Sequence, residues 1–133
     1  MKKAVKILIC LLTVLSLLGC TSTIDGVKTH TVKSTIFTQE EITEAKTIAI
    51  DQFHSIFPHS ELLEIYYAGD ELAADSKATA YYYGGDECMV LYSSFIVAEE
   101  DAIVLTPNKK YDQYAWVFVT KDGKMELVTN GFN

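Results

Sequence analysis

The chain has 133 residues, with 18 acidic residues, 11 lysines and no arginine, and its formal net charge is −7. This length suits one small domain. An acidic chain without arginine lacks the basic surface that nucleic acids require, so the composition excludes a nucleic-acid-binding protein.

The first twenty residues have the layout of a secretory signal. Three lysines near the N-terminus precede an apolar stretch, Ile7 to Leu18, that is too short to be a comfortable membrane span. Gly19 and Cys20 then close the stretch, and this ending resembles the lipobox of bacterial lipoproteins. The resemblance implies that residues 1–19 are removed and that Cys20 carries lipid, which holds the domain on the outer side of the cell membrane. The alternatives are an ordinary signal cleaved near Gly19 or an uncleaved anchor, and both also export the domain.

Removal of the signal would make the protein more acidic. Three of the 11 lysines lie in residues 1–19, so eight would remain against 18 acids, a net charge near −10. Anionic lipids should repel such a domain, and we therefore expect membrane contact through the lipid on Cys20 alone. Cys88 lies in an apolar, strand-like run, which predicts a buried small hydrophobic residue instead of a catalytic thiol.

The first predicted element of the domain is a helix. Residues 20–35 are rich in serine and threonine, which predicts a flexible linker ahead of a single domain, residues 36–133. Thr38 and Glu41 have the spacing of a capping box, and apolar residues recur after them at helical spacing. Pro58 ends the pattern, because the residue before a proline resists helical geometry.

A strand and a second helix are predicted next. The alternation in residues 61–68 predicts a strand with Leu62, Glu64 and Tyr66 on one face. Residues 70–83 fit a helical stripe of small residues, although the tyrosines at its end would also suit the start of a strand.

The remainder of the chain predicts strands. Residues 88–98 are apolar on both alternations, as in a strand covered on both faces. Residues 114–120 and 125–129 flank an Asp-Gly pair typical of a tight hairpin turn. The order of elements predicts an α+β fold in which the N-terminal helix packs on a curved antiparallel sheet.

Several segments together resemble a family of uncharacterised small lipoproteins and secreted domains from Gram-positive, often gut-dwelling, bacteria. They are Phe37–Ile42, Leu63–Tyr67, Asp86–Phe95, Leu105–Tyr111, Trp116–Val119 and the closing Gly131-Phe132. The resemblance covers residues 37–132 and implies a cystatin-like or nuclear-transport-factor-like outline, with no assigned activity. The chain departs from that family at Ala102–Leu105, whose apolar residues predict either an additional strand pair or an exposed contact surface.

No cofactor or metal site is predicted. His54 and His59 lie near Glu61, but their spacing matches no helical pair of zinc ligands, and Pro58 turns the chain between them. The acidic residues 99–101, like those after Gly69, lack the alternating carboxylates of a calcium loop and are expected to be solvated.

The tyrosines favour a binding function. Tyrosine combines a large rigid contact area with a polar tip, which makes it common in recognition surfaces. Trp116 and Phe118 are expected in the core, and Tyr66, Tyr82 and Tyr114 are expected to be exposed. The sequence thus predicts a monomeric, non-catalytic module that binds a protein or a small ligand at the cell surface.

Two other functions remain open. A small hydrolase or isomerase would use Glu64 and Asp86 as acid and base in the concave face of the sheet. An inhibitor or immunity lipoprotein would instead block one secreted enzyme, and the acidic surface would make its association rate depend on salt.

Overall fold

The computed structural model describes residues 22–72 and 76–132. The predicted signal segment and Cys20 lie outside these residues. Two α-helices are present in the described part, α1 (Gln39–Ile56) and α2 (Ser76–Tyr82), and Asp70–Leu72 and Glu99–Asp101 are short 3-10 helices. The strands are β1 (Ser22–Ile24), β2 (Val27–Thr31), β3 (Glu61–Tyr67), β4 (Glu87–Ile96), β5 (Lys110–Lys121) and β6 (Lys124–Gly131).

The six strands form one sheet in which they follow one another in chain order. β2 and β3 pair in parallel, and every other neighbouring pair is antiparallel. A parallel pair needs a crossover connection, and α1 provides it between β2 and β3. The α+β class is confirmed, but the sheet is mixed, so the prediction of an antiparallel sheet is wrong.

The same two N-terminal strands correct the predicted linker. Residues 22–31 form β1 and β2, although residues 20–35 were expected to be flexible. Val27 and Thr29 are buried whereas Lys28 between them is exposed, which is the alternation of a strand with one covered face. Threonine is a good strand former, so a threonine-rich segment next to an available partner strand joins the sheet.

α1 begins where the sequence predicts. The hydroxyl of Thr38 accepts a hydrogen bond from the Glu41 amide at 3.2 Å, and the Glu41 carboxylate accepts one from the Thr38 amide at 2.8 Å. This reciprocal pair satisfies two amides that the helix itself cannot. The helix ends at Ile56, two residues before Pro58.

The two faces of the sheet are covered differently. α1 packs on one face, where the largest buried side chains include Trp116, Phe53 and Phe118, so the core positions predicted for Trp116 and Phe118 are confirmed. α2 packs on the opposite face, over a smaller cluster that contains Cys88. Cys88 is buried, as predicted, and burial raises the pKa of its thiol.

The C-terminal hairpin is also as predicted. Asp122 and Gly123 both have positive φ, 51° and 74°, as a tight two-residue turn between twisted strands requires. Across residues 22–72 and 76–132, neither helix combines the length and the apolar character that crossing a membrane demands.

Candidate functional site

A cluster of polar and aromatic side chains lies on the face of the sheet opposite α1. It consists of His30 from β2, Glu64 and Tyr66 from β3, and Tyr92 from β4, and is called here the aromatic face. The register places His30 beside Tyr66 and Tyr66 beside Tyr92, so three rings form a row across three neighbouring strands. Their neighbours along the strands point into the core, which directs this row away from α1.

Close contacts hold the row together. The imidazole of His30 stacks on the ring of Tyr66, with centroids 4.7 Å apart and planes inclined by 10°. Tyr66 in turn lies 6.0 Å from the ring of Tyr92. Nδ1 of His30 lies 2.8 Å from Oε1 of Glu64, and the two side chains are 41% and 26% exposed. The rings are therefore oriented by the protein itself while remaining accessible.

The electrostatic surroundings keep Tyr66 protonated. Burial is the largest cause that raises the pKa of its hydroxyl, and the nearby Glu64, Tyr92 and Asp112 raise it further. A hydrogen bond with Ser94, and Lys110 nearby, lower the pKa of Asp112 and keep it ionised. At neutral pH, Tyr66 thus offers a neutral hydroxyl that can donate or accept a hydrogen bond.

The histidine adds a second polar group. When Nδ1–H of His30 donates to Glu64, Nε2 on the other side of the ring is an acceptor. The aromatic face thus offers a flat stacking surface edged by a hydroxyl, an imidazole nitrogen and a carboxylate. These groups suit recognition of a planar or ring-shaped group that carries polar substituents.

The positions of the potential metal-ligating side chains do not suggest a metal site in the part of the chain that the structure describes. Within residues 22–72 and 76–132, His, Cys, Asp and Glu side chains do not converge in a group of three or more that would hold an ion.

The structure brings together two predicted site residues, Glu64 and Tyr66. The strand that carries them does not follow the strict alternation that was predicted for it. Strict alternation also placed Leu62 on their face. The register with β4 shifts between Leu62 and Glu64, so Leu62 is buried on the core side together with Ile65. A β-bulge has this effect because one additional residue reverses the side of the residues before it.

Tyr114 does not belong to the site, and the prediction that it is exposed is wrong. Its side chain is 7% exposed, packs against Phe57 and Phe95, and donates a hydrogen bond from its hydroxyl to Asn130 at 2.6 Å. The sequence held the signal, since Tyr114 lies two residues before the buried Trp116 and therefore on the same face of β5.

Tyr82 is exposed as predicted, with an accessible fraction of 80%, but it lies on α2. Its ring contacts that of Tyr83 at 4.9 Å, and the aromatic contacts of the described residues do not connect it with Tyr66. It is therefore a separate exposed aromatic residue.

Asp86 lies far from Glu64. It is exposed, directly before β4, whereas Glu64 pairs with Ser94 near the other end of that strand. Eight residues at about 3.3 Å each separate the two positions by roughly 25 Å. These two carboxylates cannot act on one substrate, and His30 is the ionisable partner that Glu64 has instead.

His30 is the site residue that sequence reasoning missed, because it lay in the predicted linker. The alternation of Val27, Thr29 and the polar residues between them was the available signal. The apolar segment Ala102–Leu105 forms no strand pair, and its Ile103 and Val104 are 92% and 90% accessible to solvent.

Two of the acids expected in solvated loops have structural roles. Asp70 accepts hydrogen bonds from the hydroxyls of Ser34 and Tyr67 and from the amide and hydroxyl of Thr35. Burial acts to raise the pKa of Asp70, but these hydrogen bonds outweigh it and lower the pKa to about 2. Asp101 accepts from the His59 amide and the Ser60 hydroxyl, at 2.9 and 2.6 Å.

Comparison of the chain with models of known protein families, with curated proteins and with solved structures finds no match in any of the three.

Proposed function

We propose that the chain is an exported, lipid-anchored recognition module, held on the membrane through Cys20, that binds a partner at the cell surface through the aromatic face. The pre-oriented stack of His30 on Tyr66 is the observation that carries the proposal. Stacked rings that are already fixed by a neighbouring carboxylate lose little conformational freedom when a partner binds. The partner is a protein or a small ligand that presents a planar group to these rings.

The resemblance to the small Gram-positive lipoproteins belongs to this proposal. A long helix packed on a sheet whose strands follow chain order supports the cystatin-like or nuclear-transport-factor-like outline that the resemblance implies. A relative from that family should be compared with this chain at one feature in particular, the parallel pairing of β2 with β3.

Cross-linking on intact cells of the source bacterium tests the binding function. The bait is the chain from residue 20 with Cys20→Ser, which keeps both N-terminal strands. We expect one saturable partner, lost with Tyr66→Ala and with His30→Ala and retained with Tyr82→Ala. Tyr82 is the matched control, because it is also an exposed tyrosine but lies outside the aromatic face.

Two results would count against this function. A partner lost with Tyr82→Ala and retained with Tyr66→Ala would transfer the binding site to α2. Capture that survives all three substitutions would show that the aromatic face takes no part.

The pairing of His30 with Glu64 favours a hydrolase or isomerase as the second candidate function. A carboxylate that orients an imidazole is the arrangement of many general bases. An enzyme of this kind would lose turnover with Glu64→Gln and with His30→Ala, and would retain part of it with Tyr66→Ala. A binding module predicts that Tyr66→Ala is at least as harmful as Glu64→Gln.

A further inference from the structure

We infer that the β1–β2 edge of the domain is seated directly on the lipid leaflet that holds Cys20, without an intervening flexible tether. The inference rests on the lipidation of Cys20, which belongs to the proposed function. It adds a surface and a partner, a phospholipid headgroup layer, that the anchor alone does not imply.

The length of chain before β1 is the first argument. β1 begins at Ser22, so Thr21 alone separates the sheet from Cys20. An extended residue spans at most about 3.6 Å, which places Cys20 within roughly 7 Å of Ser22 in any conformation. Ser22 pairs with Thr29, so a lipid on Cys20 holds the edge formed by β1 and β2 close to the headgroups.

The two exposed lysines of this edge are offset by acids beside them. Lys28 pairs with Glu64 in the register of β2 and β3, and Lys33 lines the same pocket as Asp70 and Glu71. The contact with the leaflet therefore follows from the short connection to Cys20 and does not depend on attraction to anionic lipids.

The exposed apolar side chains that follow β2 are the second argument. Val32 and Ile36 are 49% and 46% exposed, on the segment that follows β2, and Lys33 lies between them. Apolar side chains beside lysines are the usual composition of a surface that rests in the headgroup region. The more exposed pair Ile103 and Val104 lies on the segment between β4 and β5, away from the β1–β2 edge.

A second copy of the chain is a poorer occupant for this edge. β1 has three residues, and short edge strands offer few backbone groups for pairing. A headgroup layer needs no such register.

The seat also determines where the aromatic face lies. His30 belongs to β2, the second strand from the anchored edge, so the aromatic face opens beside the lipid surface. A partner of that face must therefore be reachable at the level of the headgroups.

Fluorescence quenching by lipid tests the seat. The full chain is produced in a bacterium that lipidates exported proteins and is reconstituted into phosphatidylcholine vesicles that contain phosphatidylglycerol and a lipid with a quencher at its headgroup. A dye is attached at Val32→Cys or, as the control, at Ile103→Cys. Cys88 is buried, and labelling of the unsubstituted protein measures any background.

We expect quenching at position 32 to be several-fold stronger than at position 103. Equal quenching at both positions, in protein that still floats with the vesicles, would show that the β1–β2 edge does not lie on the leaflet. The lipid anchor on Cys20 would be unaffected by that result. If the protein does not float with the vesicles, Cys20 does not anchor it, and the proposed contact of the β1–β2 edge with the leaflet fails as well. Binding through the aromatic face is tested separately by the cross-linking experiment, which uses protein without the lipid.

Discussion

Lys46 is a buried cation whose stability cost depends on pH. Its side chain lies between α1 and β2 and is 3% exposed. Nζ donates to the backbone carbonyl of His30 at 3.0 Å and to the hydroxyl of Thr31 at 2.6 Å, both of which are uncharged. Burial lowers the pKa of Lys46 from 10.5 to about 8.

The magnitude follows from this pKa shift. At about 1.4 kcal/mol per unit, burial of the charged form costs roughly 3 kcal/mol. Below pH 8 the cost is fully present, because Lys46 is protonated in both states. Between pH 8 and 10.5 the unfolded chain holds a proton that the folded chain has released, so the free energy of unfolding rises with pH, by about 1 kcal/mol per unit near pH 9.

Urea unfolding at a series of pH values measures this effect, with Lys46→Met as the reference. We expect the unsubstituted protein to gain roughly 2 kcal/mol relative to Lys46→Met between pH 7 and pH 10. Burial, and then the hydrogen bond with Asp70, raise the pKa of Tyr67 to about 12, so ionisation of Tyr67 in the unfolded chain destabilises both proteins alike above pH 10. Parallel pH profiles for the two proteins would refute the reasoning.

Three further substitutions are checked by the same unfolding measurement. Asp70→Asn should cost about 1 kcal/mol at neutral pH. The pKa of Asp70 is lowered to about 2, so its contribution is present above its ordinary value of 3.8 and is lost as the pH falls toward 2, where the two proteins should converge. Tyr114→Phe removes the hydrogen bond to Asn130 and should cost about 1 kcal/mol without affecting partner capture. Gly85→Ala should cost about 1–3 kcal/mol, because the added Cβ would lie 2.9 Å from the Thr120 carbonyl oxygen. Full retention of stability in any of the three would contradict the contact named for it.

Features encoded by neighbouring residues were predictable from the sequence. The capping box of Thr38 and Glu41 and the turn at Asp122 and Gly123 each depend on a few adjacent positions. The α+β class followed from the order of such elements.

Features that depend on distant partners were not predictable. β2 is a strand because β3, thirty residues later, pairs with it in parallel, and its own composition suits a linker equally well. His30 was lost from the candidate site for that reason. The prediction that Tyr114 is exposed failed for a different reason. It did not take into account that Trp116, predicted to be buried, lies on the same face of β5.

The parallel pairing of β2 with β3 also orders the folding of the chain. β1 and β2 are synthesised before α1, but a two-stranded hairpin alone is marginal in water, and its partner strand begins only at Glu61. Closing that long crossover costs more conformational entropy than pairing β4 with β5 and β5 with β6. It should therefore be the slower step. The N-terminal hairpin should therefore dock last, and a fragment that starts at residue 36 would leave the edge of β3 permanently open to aggregation.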